Sequence, residues 1–115
     1  MAALALGGCG SGRSADVADT SAAVVAMSEF RLDPQELRLS AGRRAFTIRN
    51  DGRIVHRFEL RRADGDRRLL VRGRPLKPGE SQTLTVRLTP GEYLMRCAQE
   101  RHNTLGEWGT VTVRG

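Results

Sequence analysis

The chain has little lysine, few aromatic residues and no long apolar segment. Of its 19 basic residues one is Lys77, which leaves 18 arginines among 115 residues. No segment approaches the roughly 18 consecutive apolar residues that a transmembrane helix needs, so none is predicted. Aromatic residues make up 4% of the chain, and it has no recognisable nucleic-acid-binding motif. Because stacking on bases needs aromatic side chains, we do not expect nucleic acid as a partner.

The positive charge is concentrated in the middle of the chain. The net charge is +6, and residues 43–74 contain eleven arginines against four acidic residues. Such a run most often forms a solvated face, which is the interpretation that we favour. The alternative is a surface that attracts an acidic protein or an anionic membrane over a long range.

Histidine and cysteine are also scarce, with two of each. One cysteine and one histidine fall in the segment CAQERHNTLGEWG, where Cys97, His102 and Glu107 are five residues apart. Sulfur, imidazole and carboxylate are all metal ligands, so this segment is a candidate metal site. Gln99 and Glu100 are alternative oxygen donors in the same segment.

From residue 24 onward the chain shows the two-residue alternation of β-strands. Apolar residues alternate in segments such as LTVRL and VTV, and turn dipeptides such as Asp51-Gly52 and Pro90-Gly91 separate these segments. No segment has the pattern of a long amphipathic helix. We therefore predict an all-β Greek-key sandwich of about seven to eight strands, spanning residues 24–115 as one domain and existing as a monomer.

The same alternation predicts where the candidate ligands point. In IVHRFEL, the apolar set Ile54, Phe58 and Leu60 has the parity of His56, so His56 is expected to face the core. In YLMRC, Cys97 has the parity of Tyr93 and is also expected to point inward, at the end of its strand. A buried histidine and a buried cysteine on strands of one small sandwich are two candidate ligands for one metal site.

The first residues have the form of an export signal. LALGGC resembles the cleavage site of a bacterial lipoprotein, which would make residues 1–8 a partial signal peptide and Cys9 the lipidated residue. No basic residue precedes the short apolar segment, so we place the true start upstream of Met1. Residues 9–23 read as a flexible tether. The domain is then expected outside the cytoplasm, in the periplasm or on the outer face of the membrane, anchored by lipid; the alternative is a chance cysteine in a disordered tail.

Two segments resemble the cupredoxins, the small blue-copper proteins. NDGRIVHRFEL is similar to the part of that family that carries the first histidine ligand, and GEYLMRCAQERHNTLGEWGTVTV to its last two strands and ligand loop. The similarity spans about residues 29–114. It implies one copper per chain, bound by His56, Cys97 and His102, with Asn50 bracing the site by a hydrogen bond to the loop near Cys97. The alternative for Asn50 is a turn residue before Asp51-Gly52. The family's axial methionine is replaced by Glu107, which is the expected fourth ligand. The alternatives are that Glu107 binds the metal through a water molecule or that it points to solvent.

The resemblance implies an extracytoplasmic electron carrier with no enzymatic activity, working with a redox partner protein that is acidic if the arginine-rich region docks it. A His₂Cys set with a weak axial ligand suits one-electron copper chemistry. Two alternatives stay open at this point. One is a copper-handling protein that delivers the metal without redox turnover, and the other is a metal-free binding module.

Overall fold

The computed structural model of the protein describes residues 13–99 and 105–115, which form two facing β-sheets. The six-stranded sheet has the order β1-β4-β10-β9-β6-β7, and the four-stranded sheet has the order β3-β2-β5-β8. The first sheet contains β1 (Ser14–Asp16), β4 (Glu36–Ser40), β6 (Phe58–Arg62), β7 (Leu69–Arg72), β9 (Gly91–Cys97) and β10 (Trp108–Arg114). The second contains β2 (Ala23–Ser28), β3 (Arg31–Asp33), β5 (Gly42–Asn50) and β8 (Ser81–Leu88). Within the described residues, no helix is both long and apolar enough to cross a membrane.

The predicted all-β sandwich is confirmed, with ten strands in the described residues. This number exceeds the predicted seven to eight partly because β1 and β3 have three residues each. Three residues are too few to show a two-residue alternation, so such strands do not appear in the sequence pattern.

The core lies between the sheets and is built from alternate residues of the longer strands. In β5, Phe46 and Ile48 are fully buried while their neighbours are partly exposed. The ring of Phe46 packs against that of Phe58 on the other sheet, with centroids 6.1 Å apart. Ile54 departs from the predicted inward set, since it is 42% exposed. It lies in the loop before β6, where the alternation of a strand does not apply.

The segment predicted as a tether is folded onto the domain from residue 13 onward. β1 pairs in parallel with β4, and Val17 and Ala23 belong to the buried core. The guanidinium of Arg44 donates hydrogen bonds to the carbonyl oxygens of Ala18 and Asp19. The sequence pattern did not predict this folded segment, because its residues are mostly small or polar. An edge strand held by backbone pairing needs few apolar side chains. Cys9 lies outside the described residues, so its lipidation stays a prediction.

Strand pairing brings two loops to the same end of the sandwich. The start of β6 pairs with the end of β9, where Phe58 is opposite Cys97, and Trp108 at the start of β10 is opposite Arg96. The loop 51–57 therefore enters β6 at the place where the chain leaves β9. Residues far apart in sequence, at 56, 97 and 107, meet at this end.

Candidate metal centre

His56 is held in the loop before β6 by backbone pairing with Leu76. The His56 amide donates to the Leu76 carbonyl at 3.1 Å, and the Leu76 amide donates to the His56 carbonyl at 2.8 Å. The His56 side chain has no exposed surface, so its predicted inward orientation is confirmed. Its Nδ1 lies 3.9 Å from the sulfur of Cys97.

Cys97 ends β9 and points into the core, as its parity predicted. Its sulfur accepts hydrogen bonds from the backbone amides of Arg57, at 3.4 Å, and Gln99, at 3.5 Å. Two N–H groups directed at one sulfur stabilise negative charge on it. These two amides therefore favour the thiolate, the form in which cysteine binds metals.

Glu107 is placed by the short connection into β10. Gly106 before it has a φ of +117°, and a Cβ there would lie 3.0 Å from the carbonyl oxygen of Phe30, so the position favours glycine. The Glu107 carbonyl accepts a hydrogen bond from the Cys97 amide at 3.1 Å. Its side chain is fully buried, with Oε2 lying 2.8 Å from Nδ1 of His56.

The three side chains offer one nitrogen, one sulfur and one oxygen to a common point. These donor atoms of His56, Cys97 and Glu107 all lie within 4.8 Å of one another. A metal ion about 2.0–2.3 Å from a nitrogen and a sulfur holds those atoms no more than about 4.3 Å apart. The observed 3.9 Å between His56 Nδ1 and Cys97 Sγ fits that limit.

Burial keeps protons on the two acidic candidate ligands, Glu107 and Cys97. It raises the pKa of Glu107 to about 8, although a hydrogen bond with Cys97 lowers it, and repulsion from Glu29 raises it further. Burial likewise raises the pKa of Cys97 to about 11, opposed by the amides of Arg57 and Gln99. Bound metal must displace these protons, so metal affinity rises with pH.

Asn50 braces the His56 side of the site. Its Nδ2 donates to the carbonyl oxygens of Ile54 and Leu76, both at 2.8 Å, and its Oδ1 accepts from the amide of Gly52 at 2.8 Å. The side chain is fully buried. The resemblance implied a brace near Cys97, whereas these hydrogen bonds tie the loop that carries His56 to the segment that pairs with it.

Glu29, which the sequence analysis did not single out, contacts the other side of His56. One of its carboxylate oxygens lies 2.7 Å from Nε2 of His56. This hydrogen bond, together with those from the amides of Arg53 and Ile54, lowers the pKa of Glu29. Glu29 follows β2 and precedes β3, a position that carries no sequence signal for a metal site.

Two candidate donors fall outside the described residues, namely His102 and Glu100. Their roles as ligand and alternative donor therefore stay predictions. Met95, two residues before Cys97 on β9, lies fully buried among the core residues. Trp108 begins β10 and is 43% exposed.

Comparison with known proteins shows what the chain resembles in sequence and in fold. A family model described as a cupredoxin-like domain matches residues 1–113. No curated protein sequence matches the chain significantly.

Three solved structures illustrate the similarity in fold. Reduced auracyanin from the photosynthetic bacterium Roseiflexus castenholzii has a TM-score of 0.77 at 19% identity, covering 85% of this chain and 100% of that one. Auracyanin A of Chloroflexus aurantiacus, a "blue" copper protein, has a TM-score of 0.68 at 17% identity, covering 88% and 99%. A Cu(I) form of an amicyanin variant has a TM-score of 0.61 at 21% identity, covering 85% and 86%.

Proposed function

Because this chain belongs to the cupredoxin-like family, we propose that it is an extracytoplasmic mononuclear copper protein that carries single electrons. The observation that supports this most directly is the convergence of His56 Nδ1, Cys97 Sγ and the Glu107 carboxylate within 4.8 Å in a buried site. Thiolate sulfur favours Cu(I) and imidazole suits both oxidation states, which is the donor combination of electron-transfer copper sites.

In this proposal the chain's residues hold the ligand geometry and exclude water. Cys97 would supply the thiolate, stabilised by the amides of Arg57 and Gln99, and His56 would supply the first imidazole. His102 would supply the second imidazole, as the family resemblance implies. Copper, when bound, provides the one-electron redox couple. A site set between paired strands limits the rearrangement of ligands between the two oxidation states, which favours rapid electron transfer.

Glu107 is proposed as the fourth, axial donor. Its burial beside His56 and Cys97 places a carboxylate oxygen at the site, where the family usually has a thioether. A carboxylate is a harder and more negative donor than sulfur, so it favours Cu(II). We therefore expect a lower reduction potential than that of a methionine-ligated relative.

The proposal is tested by adding one equivalent of Cu(II) to the purified protein and recording its visible and EPR spectra. We expect an intense sulfur-to-copper charge-transfer band that is lost in Cys97→Ser. Met95→Leu is a matched control, because Met95 lies on the same strand but packs in the core. A weak copper signal that Cys97→Ser leaves unchanged would contradict the proposal and favour a metal-free binding module.

The buried carboxylate also supports a second candidate, a copper-handling protein without redox turnover. A hard anionic donor stabilises one oxidation state over the other and so opposes easy cycling. The two candidates differ in voltammetry. Reversible cycling with fast self-exchange supports the electron carrier, whereas tight binding of one oxidation state with poor cycling supports copper handling.

We further propose that the protein is anchored by lipid on Cys9 outside the cytoplasm, based on the lipoprotein-like segment LALGGC. Expression of the gene with its upstream sequence, in cells fed a radioactive lipid precursor, tests this proposal. Incorporation of the labelled lipid into the wild type but not into Cys9→Ser supports the anchor. Equal labelling of the two proteins would contradict it.

For the redox partner, we propose an acidic protein that docks on an arginine cluster formed by Arg61, Arg72 and Arg96. The three guanidinium groups surround Glu59 on the six-stranded sheet and keep 21%, 37% and 28% of their side-chain surface exposed. One buried carboxylate thus holds three cations in place, which leaves a net positive surface. Arg96 is adjacent to Cys97, so a partner docked there lies close to the site.

Small redox probes test this docking surface. The reduced protein should reduce the anion hexacyanoferrate(III) more slowly as the salt concentration increases. It should reduce a cationic cobalt(III) complex faster as the salt concentration increases. Arg72→Gln should flatten the salt dependence for the anion, and Arg87→Gln, on β8 of the other sheet, serves as its control. Equal salt dependence of wild type and Arg72→Gln would contradict docking at the cluster.

A further inference from the structure

We propose that Glu29 is a positioning residue that orients His56 toward the metal and adds negative charge to the ligand set. This inference rests on the proposed copper site, since it concerns how one of its ligands is held.

The Glu29 carboxylate connects the histidine to its own loop. Oε2 lies 2.7 Å from His56 Nε2, and the two oxygens accept hydrogen bonds from the Arg53 amide at 3.0 and 2.9 Å. The Ile54 amide donates to Oε2 at 3.3 Å. One carboxylate therefore holds the imidazole and two successive amides of the segment that leads to it.

These contacts decide which nitrogen faces the metal site. When Nε2 carries the proton and donates it to Glu29, Nδ1 keeps a lone pair. Nδ1 is the atom that lies 3.9 Å from Cys97 Sγ and 2.8 Å from Glu107 Oε2. The nitrogen that faces the other two candidate ligands is thus the one that carries the lone pair a metal would bind. A carboxylate on the distal nitrogen is a recognised way of fixing a histidine ligand and increasing its electron donation.

Gly52 provides the space for this carboxylate. A Cβ at position 52 would overlap Oε2 of Glu29 and lie 2.9 Å from His56 Nε2. The Gly52 amide is itself held by Asn50, so the backbone is not free to retreat. Any larger residue at position 52 must displace the Glu29 carboxylate. Gly52→Ala therefore breaks the contact without changing Glu29, while its Cβ also presses on the His56 ring.

Three variants separate orientation from charge. Glu29→Ala removes both the hydrogen bond and the charge, and Gly52→Ala displaces the carboxylate. Glu29→Gln keeps an oxygen for the Nε2 proton but removes the charge. Glu92→Ala is the control, because Glu92 lies on the same strand as Cys97 at its opposite end and accepts a hydrogen bond from the Thr112 hydroxyl.

We expect Glu29→Ala and Gly52→Ala to lower Cu(II) and Zn(II) affinity by about 10- to 100-fold. Glu29→Gln should lose less affinity but should still raise the reduction potential, because the lost charge stabilised Cu(II) more than Cu(I). Each tenfold difference between the two oxidation states corresponds to about 59 mV. Glu92→Ala should match the wild type in both measurements.

Unchanged affinity and potential in Glu29→Ala and Gly52→Ala would overturn the positioning role while leaving the copper site established. Absence of the charge-transfer band in the wild type would overturn the proposed function instead. In that event, ¹⁵N NMR of the metal-free protein still tests the inference. Loss of the Nε2–H form of His56 in Glu29→Ala supports it, and an identical protonated nitrogen in the two proteins overturns it.

Discussion

Glu59 and Glu107 are both buried carboxylates on segments that flank β9, yet their pKa values move in opposite directions. Glu59 is 1% exposed and Glu107 is 0% exposed. Burial by itself raises the pKa of both. For Glu59, hydrogen bonds from Arg61, Arg96 and Arg72 outweigh burial and lower the pKa to about 2. For Glu107, burial dominates and the pKa rises to about 8.

The difference shows that the neighbours, rather than the burial, decide what a buried carboxylate does. Glu59 has three permanent cations within hydrogen-bonding distance, so its charge is compensated in the folded protein. Glu107 lies against a thiol and an imidazole, neither of which is a permanent cation. The first arrangement stabilises a fold, whereas the second is completed when a metal cation binds.

The largest effect is expected from Glu59→Gln. The amide leaves three guanidinium groups facing one another without a counter-charge, which should lower the free energy of unfolding by roughly 3–5 kcal/mol. Urea denaturation of the metal-free protein measures this loss. Glu92→Gln, an exposed residue on β9 of the same sheet, is the control and should change stability by less than about 0.5 kcal/mol. A similar effect of both substitutions would mean that Glu59 does not hold the arginine cluster together.

The corresponding substitution Glu107→Gln should change the free energy of unfolding in the opposite direction. At pH 7 without metal, Glu107 is ionised in the unfolded chain but protonated in the folded protein. Folding therefore requires the uptake of a proton, which costs free energy. Glu107→Gln removes this cost and should raise the free energy of unfolding by roughly 1–3 kcal/mol. Urea denaturation with a chelator present measures the change. A loss of stability instead would contradict the raised pKa.

The stability due to Glu59 should also depend on pH. Its pKa is lower in the folded protein than in the unfolded chain, so its contribution is complete above about pH 4.5 and is lost as the pH falls toward 2. Urea midpoints of the wild type and Glu59→Gln should therefore differ above pH 5 and converge between about pH 4.5 and 2. A difference that is constant over this range would show that the effect of the substitution is not electrostatic.

The smallest of these effects concerns the loaded site. Glu107→Met replaces a carboxylate by the neutral sulfur that relatives use, so the reduction potential should rise by about 60 mV for each tenfold loss in preference for Cu(II). Voltammetry of both proteins measures the shift, and Glu92→Gln, which removes one negative charge at the far end of β9, is the control. Equal potentials in wild type and Glu107→Met would mean that Glu107 does not bind the copper.

Much of the fold and two of the site residues could be predicted from local patterns. The inward orientation of Cys97 follows from its parity with Tyr93, because side chains of a strand alternate between faces. His56 was also correctly placed inward, although it lies just before the strand. The same reasoning failed for Ile54, which is exposed in the same loop. Parity is a property of strands, and the sequence did not show that β6 starts at Phe58.

Other features could not be predicted because they depend on contacts distant in sequence. Glu59 has the outward parity of β6, where a charged residue is normally solvated, but arginines from β7 and β9 cover it. Glu29 meets His56 because β2 pairs with β5, in a register that aligns Met27 with Asn50. No spacing in the sequence relates positions 29 and 56.

Sequence patterns are enough to predict the β-sandwich, the inward-pointing cysteine and histidine, and the family of the chain, since these depend on two-residue alternation and on a short segment around Cys97. The groups that surround each buried charge were set instead by the tertiary structure. It placed three arginines on Glu59, and it placed Cys97, His56 and Glu29 around or near Glu107. The reason is that electrostatic interactions depend on distance in space, and strand pairing sets those distances between residues far apart along the chain.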